Sequence, residues 1–127
     1  VETTAFAVAD TAIAGRYGEA LITLRHALAS GADPVPLVAA IASKLRTMAR
    51  VAGLRESSAA IAARIGVKDW QVDRARRDLA GWNEESLGRA IQAAARADAE
   101  VKGASRDPIF ALERLVTIVA TRSEFGS

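Results

Sequence analysis

The chain has 127 residues, no cysteine and one histidine, a length that fits a single domain with its own hydrophobic core. Without thiols it forms neither disulfides nor thiolate metal sites, which fits a reducing, cytoplasmic setting. Its 17 basic and 15 acidic residues leave a net charge of +2, too small for a strongly acidic or basic chain.

Alanine is abundant, β-branched runs are scarce, and every long segment has a helical period. The reading is an all-α, compact bundle of about seven short-looped helices. The first spans roughly Thr3–Ala14, with Phe6, Ala9 and Ile13 inward and Gly15 as its stop. The second spans Tyr17–Ala29, with Tyr17, Leu21, Leu24 and Leu28 as its stripe and Gly31 at its end. Asp33-Pro34 caps and opens the third, which runs to about Leu54 with Leu37, Ile41, Leu45, Met48 and Ala52 inward.

Ser57 or Ser58 caps the fourth helix and Gly66 closes it. Asp69 is expected to cap the fifth, which reaches about Ala80 before Gly81. Asn83 caps the sixth, with Glu84 and Glu85 in the first turn, where acids suit the helix dipole. Trp82 and Leu87 stand at hydrophobic-staple spacing around that cap, which makes Trp82 a structural pin. The sixth helix continues to about Lys102, followed by a loop at Gly103–Arg106. Asp107-Pro108 opens the last helix, with Ile109, Leu112, Leu115, Val116 and Val119 inward. Residues 1–122 read as one domain and 123–127 as a frayed tail.

Charge is unevenly placed along this series. Residues 1–43 carry 2 basic and 4 acidic groups, giving −2; residues 44–77 carry 9 and 3, giving +6; residues 78–127 carry 6 and 8, giving −2. A basic centre is either an ordinary solvated face or a surface for an anionic partner. The longest uncharged apolar run, near Pro34–Ser43, is short of the roughly 20 residues a bilayer span needs, and no basic leader with a cleavage pattern opens the chain. Starting at Val1, the chain reads as a fragment of something longer.

Enzyme chemistry finds no footing. His26 has no partner at metal-ligand or catalytic spacing, no phosphate-cradling glycine loop of the G-x-x-x-x-G-K-[ST] type occurs, and no nucleophile elbow or Ser/His/Asp set can be assembled. No catalytic, cofactor-binding or metal-binding residue is therefore assigned. Two other constellations stand out. Asp98 falls on the apolar stripe of the sixth helix, so its carboxylate needs a partner. Lys102, one turn on, and Arg114, on the last helix, are the candidates, giving an intrahelical pair or a contact between helices or subunits.

The second is Ser57–Leu79, SSAAIAARIGVKDWQVDRARRDL. Ala62, Gly66 and Val72 have helix-turn-helix spacing, with Ile61, Ile65, Val67 and Ala75 at its other apolar positions. At 100° per residue, Val72, Ala75 and Leu79 share the packing side of the fifth helix, and Trp70, Arg74 and Arg77 the opposite side. With Lys68 just upstream, an aromatic and several cations around a helix N-terminus suit phosphates and a stacked base. Lys68, Trp70, Arg74 and Arg77 are the candidate DNA contacts. The alternative to a DNA-touching face is that Trp70 folds back onto a neighbouring helix while the arginines are solvated.

The last third, ADAEVKGASRDPIFALERLV at Ala97–Val116, resembles the end of the delta subunit of the bacterial DNA polymerase III clamp loader. The matching features are Asp98, Lys102, Asp107, Pro108 and the Leu-Glu-Arg-Leu at Leu112–Leu115. AFAVADTAIAGRYGEALITLRHAL at Ala5–Leu28 resembles that family's opening helix pair, Asp33–Leu54 its long helix, and the Gly66–Trp70 turn its joint before an aromatic-led helix. Two departures are Lys68-Asp69, where prolines are common, and an unusually alanine-rich first helix. The resemblance implies the C-terminal helical collar domain of delta: an assembly (oligomerisation) module whose parent subunit opens the sliding clamp and loads it on primed DNA. Implied partners are the collar domains of other clamp-loader subunits and, independently of sequence, primer–template DNA. The sliding clamp itself would be held only by the N-terminal part of the parent chain. ATP hydrolysis would belong to neighbouring subunits and DNA synthesis to the holoenzyme, a DNA-directed DNA polymerase. The alternative from the residues alone is a helix-turn-helix DNA-binding domain of a transcription regulator.

Overall fold

A computed structural model describes residues 2–104 and 106–122, and all their regular elements are helical. In chain order these are α1 (Glu2–Ile13), α2 (Tyr17–Ala29), α3 (Pro34–Val51), α4 (Ser58–Ile65), α5 (Asp69–Asp78), α6 (Glu84–Ala99) and α7 (Pro108–Thr121). A π-helical turn at Glu100–Ala104 widens the end of α6, where a sixth helix reaching Lys102 was expected. The expected tail at 123–127 lies outside the described residues.

Local chemistry sets most helix starts. Asp33 Oδ1 accepts from the Val35 N–H at 2.9 Å, and Asp107 Oδ1 from that of Phe110 at 2.9 Å. Ser57 Oγ accepts from the Ala60 N–H at 3.1 Å. Asn83 and Ser86 cap reciprocally, at 2.8 and 3.0 Å, with serine in the role usually taken by glutamate. The fifth helix departs from expectation. Lys68 occupies the cap position and Asp69 the first helical one; Gln71 Oε1 reaches back to the Lys68 N–H at 2.9 Å. The acid still lies in the first turn, where the dipole favours it.

α3 and α7 form the centre. α3 packs on α1, α5, α6 and α7, and α7 on α1, α2, α3 and α6, while α4 packs on α5. Buried Leu37, Ile41, Leu45 and Met48 give α3 its stripe, and Val51 extends it where Ala52 was expected, because the helix ends at Val51. From Ala111 onward α7 is buried almost all round, including Thr117, whose hydroxyl donates to the Glu113 carbonyl at 2.9 Å. Many of the other buried residues are alanines, such as Ala9, Ala12, Ala20, Ala90 and Ala94, so helix axes approach closely and packing is sensitive to single methyl groups.

Three further residues expected in the core lie outside it. Phe6 is 53% exposed because Ala5, Val8, Ala9, Ala12 and Ile13 centre the buried face of α1 roughly a quarter-turn away. Ile109 is 48% exposed because it sits in the first turn of α7, before burial begins at Ala111. Tyr17, expected in the stripe of α2, is also substantially exposed; that helix buries Leu24 as expected, with Leu21 and Leu28 partly buried and Ala20 and Ala27 added to the buried face.

Candidate functional site

The α4–α5 joint follows helix-pair packing. Ile61, Ala62, Val72 and Ala75 are buried, and Leu79 is partly so. Gly66 ends α4 at φ +79°, and its N–H and that of Val67 donate to the Ala62 carbonyl at 2.9 and 3.1 Å. This reversal sets the N-terminus of α5 at the surface, with Lys68 and Trp70 exposed, the latter by 62%. Trp70 does not fold into the core.

Trp70 borders a cleft of about 240 Å³ between α1, α3 and α5, with Phe6 as its second aromatic. The cleft also holds Asp10, Lys44, Arg74 and Asp78, two acids and two cations. Lys44 is hydrogen-bonded to Asp10 and stands 3.5 Å from Asp78. Arg74 lies 3.2 Å from Asp10 and 3.3 Å from Asp78. Arg74 thus closes a charge-balanced network joining three helices. Its positive charge is offset by acids within the fold, which leaves it a weaker phosphate ligand than its face of α5 implied. Arg77 and Lys68 are exposed, border neither this cleft nor its network, and make no ion pair among the described residues. Of the four candidate contacts, Trp70 and Arg74 line this cleft, and Lys68 and Arg77 stand at the surface outside it.

Other cations of the basic centre are also engaged. Arg76 donates to the Leu54 carbonyl at 3.2 Å, the Glu56 carbonyl at 2.5 Å and Ser58 Oγ at 3.0 Å, fastening the loop between α3 and α4 to α5. Arg64 meets Glu56 at 2.6 Å. The Glu56 carboxyl is held below its usual value, chiefly by its own backbone N–H and then by Arg64. Arg46, Arg50, Arg55, Lys68 and Arg77 are the exposed cations of this block with no ion pair among the described residues.

Lys102 Nζ sits 3.0 Å from Asp98, one helical turn away, with both side chains substantially exposed. Arg114 is not part of this pair. It stands half-buried on α7, with no ion pair among the described residues. His26 is exposed near the end of α2, and no group of three or more potential metal ligands occurs among the described residues.

One joint at the far end of the bundle was not read from the sequence beyond Trp82. The Trp82 indole N–H donates to the Ile13 carbonyl at 3.1 Å. The Arg122 guanidinium lies over the indole ring, 3.9 Å from its centroid, and donates to Ile13 at 2.7 Å and Val119 at 2.9 Å, with longer contacts to Ala12 and Ala120. Burial holds Arg122 below the ordinary guanidinium value, the direction desolvation gives a cation. Arg122 thereby satisfies the C-terminal carbonyls of α1 and α7 together. Its only sequence signal is a cation following a helix, which is too common to single it out.

Comparison with known proteins follows the same architecture. A family model described as the DNA polymerase III delta subunit, C-terminal domain, matches residues 2–119. No curated protein matches the chain. Among solved structures, the Bacillus subtilis DNA clamp loader delta protein (YqeN) superimposes with a TM-score of 0.82 at 21% identity. The match covers 94% of this chain but 36% of that one, so the present chain spans about a third of that protein's length. With a helical bundle throughout and a family match over nearly all its residues, the chain belongs to the family of C-terminal domains of the DNA polymerase III delta subunit.

Proposed function

We propose that this domain is the collar, or assembly, module of a bacterial replicative clamp loader. Its parent subunit opens the sliding clamp and loads it on primed DNA, with clamp contact made by another part of that parent and ATP hydrolysis left to neighbouring subunits. The observation that carries this reading is the family match over residues 2–119. The likeness to the B. subtilis delta protein supports the fold. The partners are the collar domains of the other loader subunits, in the cytoplasm; among the described residues no helix is long and apolar enough to cross a membrane. A helix-turn-helix regulator is the weaker reading, because Arg74, on the would-be reading face of α5, is tied to Asp10 and Asp78.

Co-purification with the other collar domains tests the proposal. Stable association is expected, and its absence, combined with tight binding to one duplex sequence over others, points to the regulator instead. Primer–template DNA is a secondary partner, contacted independently of sequence by Lys68, Trp70 and Arg77, with Arg74 the weakest of the four candidate contacts because Asp10 and Asp78 hold it. Because Trp70 is 62% exposed, Trp70→Ala is expected to change stability by less than about 1 kcal/mol. In the full loader it should weaken junction binding by about 1–3 kcal/mol, the worth of one stacked base. Unchanged junction affinity removes Trp70 from the DNA path.

A further inference from the structure

The outward side of α7 carries a surface that none of Lys68, Trp70, Arg74 and Arg77 lines. A groove of about 280 Å³ runs between α6 and α7, floored by Ala93, Ala97 and Ala111. A second, of about 240 Å³, runs between α2 and α7, where Tyr17 and Phe110 stand. Arg114 borders both grooves and so forms the ridge between them. Phe110 and Ile109, in the first turn of α7, are 61% and 48% exposed.

The charge here is incomplete. The two grooves hold four guanidinium groups, Arg25, Arg89, Arg96 and Arg114, against two carboxylates, Glu100 and Glu113, which leaves +2. Glu100 is taken by Arg96 at 3.6 Å and Glu113 by Arg25 at 3.4 Å. Asp98, which could have answered Arg114, is held by Lys102. Arg89 donates to the Arg122 carbonyl at 3.1 Å, and its Nε is buried without a hydrogen-bond partner.

We infer that this face seats an amphipathic helix of a neighbouring clamp-loader subunit, its apolar stripe over the exposed Phe110 and Ile109 and its acidic edge on Arg114. This rests on the assembly reading above. An exposed aromatic serves as an anchor, and unanswered cations select an acidic partner. A phosphate backbone would satisfy the arginines but leave Phe110 and Ile109 uncovered, so protein is favoured over nucleic acid.

The test uses the full-length subunit titrated with the remaining loader subunits at low and high salt. Phe110→Ala and Arg114→Glu should each weaken association at least about tenfold, and Arg114→Glu should also flatten its salt dependence. Arg114→Gln, milder at the same position, should give an intermediate loss, and thermal melting reports whether each variant is folded. If deleting the domain abolishes assembly but folded Arg114→Glu and Phe110→Ala subunits assemble normally, the docking face is overturned and the assembly role stands. If deletion leaves assembly intact, the assembly reading itself fails. Normal assembly with weakened primed-DNA binding in the variants would assign the face to nucleic acid and likewise overturn the inference.

Discussion

Removing the Arg122 side chain should loosen the bundle where its first and last helices meet. Arg122 makes two well-formed charge-assisted bonds, to Ile13 at 2.7 Å and Val119 at 2.9 Å, and two longer ones at 3.4 Å. Each good bond is worth about 1 kcal/mol net at a partly exposed site, and the stacking on Trp82 adds about 0.5–2 kcal/mol. Arg122→Ala is therefore expected to lower stability by about 2.5–4 kcal/mol. Alanine faces the same left-handed backbone at this position, where φ is +56°, so the loss reports the contacts and not relief of strain. With a urea slope of about 2 kcal/mol/M, the middle of the usual range, the unfolding midpoint should fall by about 1–2 M. Arg122→Lys should recover little, because an ammonium cannot fork between Ile13 and Val119. A double-mutant cycle with Trp82→Leu should show coupling near 1 kcal/mol, since both side chains share the Ile13 carbonyl and stack on one another. A loss below about 0.5 kcal/mol, or strict additivity in the cycle, would refute the clasp.

Arg76→Ala removes two hydrogen bonds to the loop before α4 and one to Ser58 at its start and should cost about 2 kcal/mol. The cost should show as faster amide exchange concentrated in α4; unchanged exchange there would contradict the role given to Arg76. Glu56 has a folded pKa below its unfolded value. Its contribution is therefore fully present above the unfolded carboxylate range, near 4.3, and is lost as pH falls through the lower folded value. The stability gap between wild type and Glu56→Gln should accordingly be present at neutral pH and close on acidification, and a gap that stays constant in pH-dependent urea melts would exclude the Glu56–Arg64 contact as its source. Gly66→Ala should destabilise by about 1 kcal/mol through its positive φ alone, because an added Cβ there meets open space. Gly66→Asn should recover part of that loss in the same thermal melts, and equal losses for both would point to another cause.

The sequence by itself determined the all-helical class and most helix starts, because caps such as Asp33, Ser57, Asn83 and Asp107 act on the next three residues and need no distant partner. It also determined the packing side of α5, since Val72 and Ala75 follow a helical period. What it left open were matters that depend on the neighbours of a face. Phe6 and Ile109 fit an apolar stripe equally well inside or outside the core, and only the placement of adjacent helices exposed them. Arg74 shares a helix face with Trp70 by angle, yet its electrostatic role was decided by Asp10, sixty-four positions earlier, and by Asp78. The clasp of Arg122 joins it to Trp82, 40 positions earlier, and to the end of α1, about 110 positions earlier. Helical periodicity is local, so it fixes elements and faces; which charge finds which partner is fixed only when the helices close on one another.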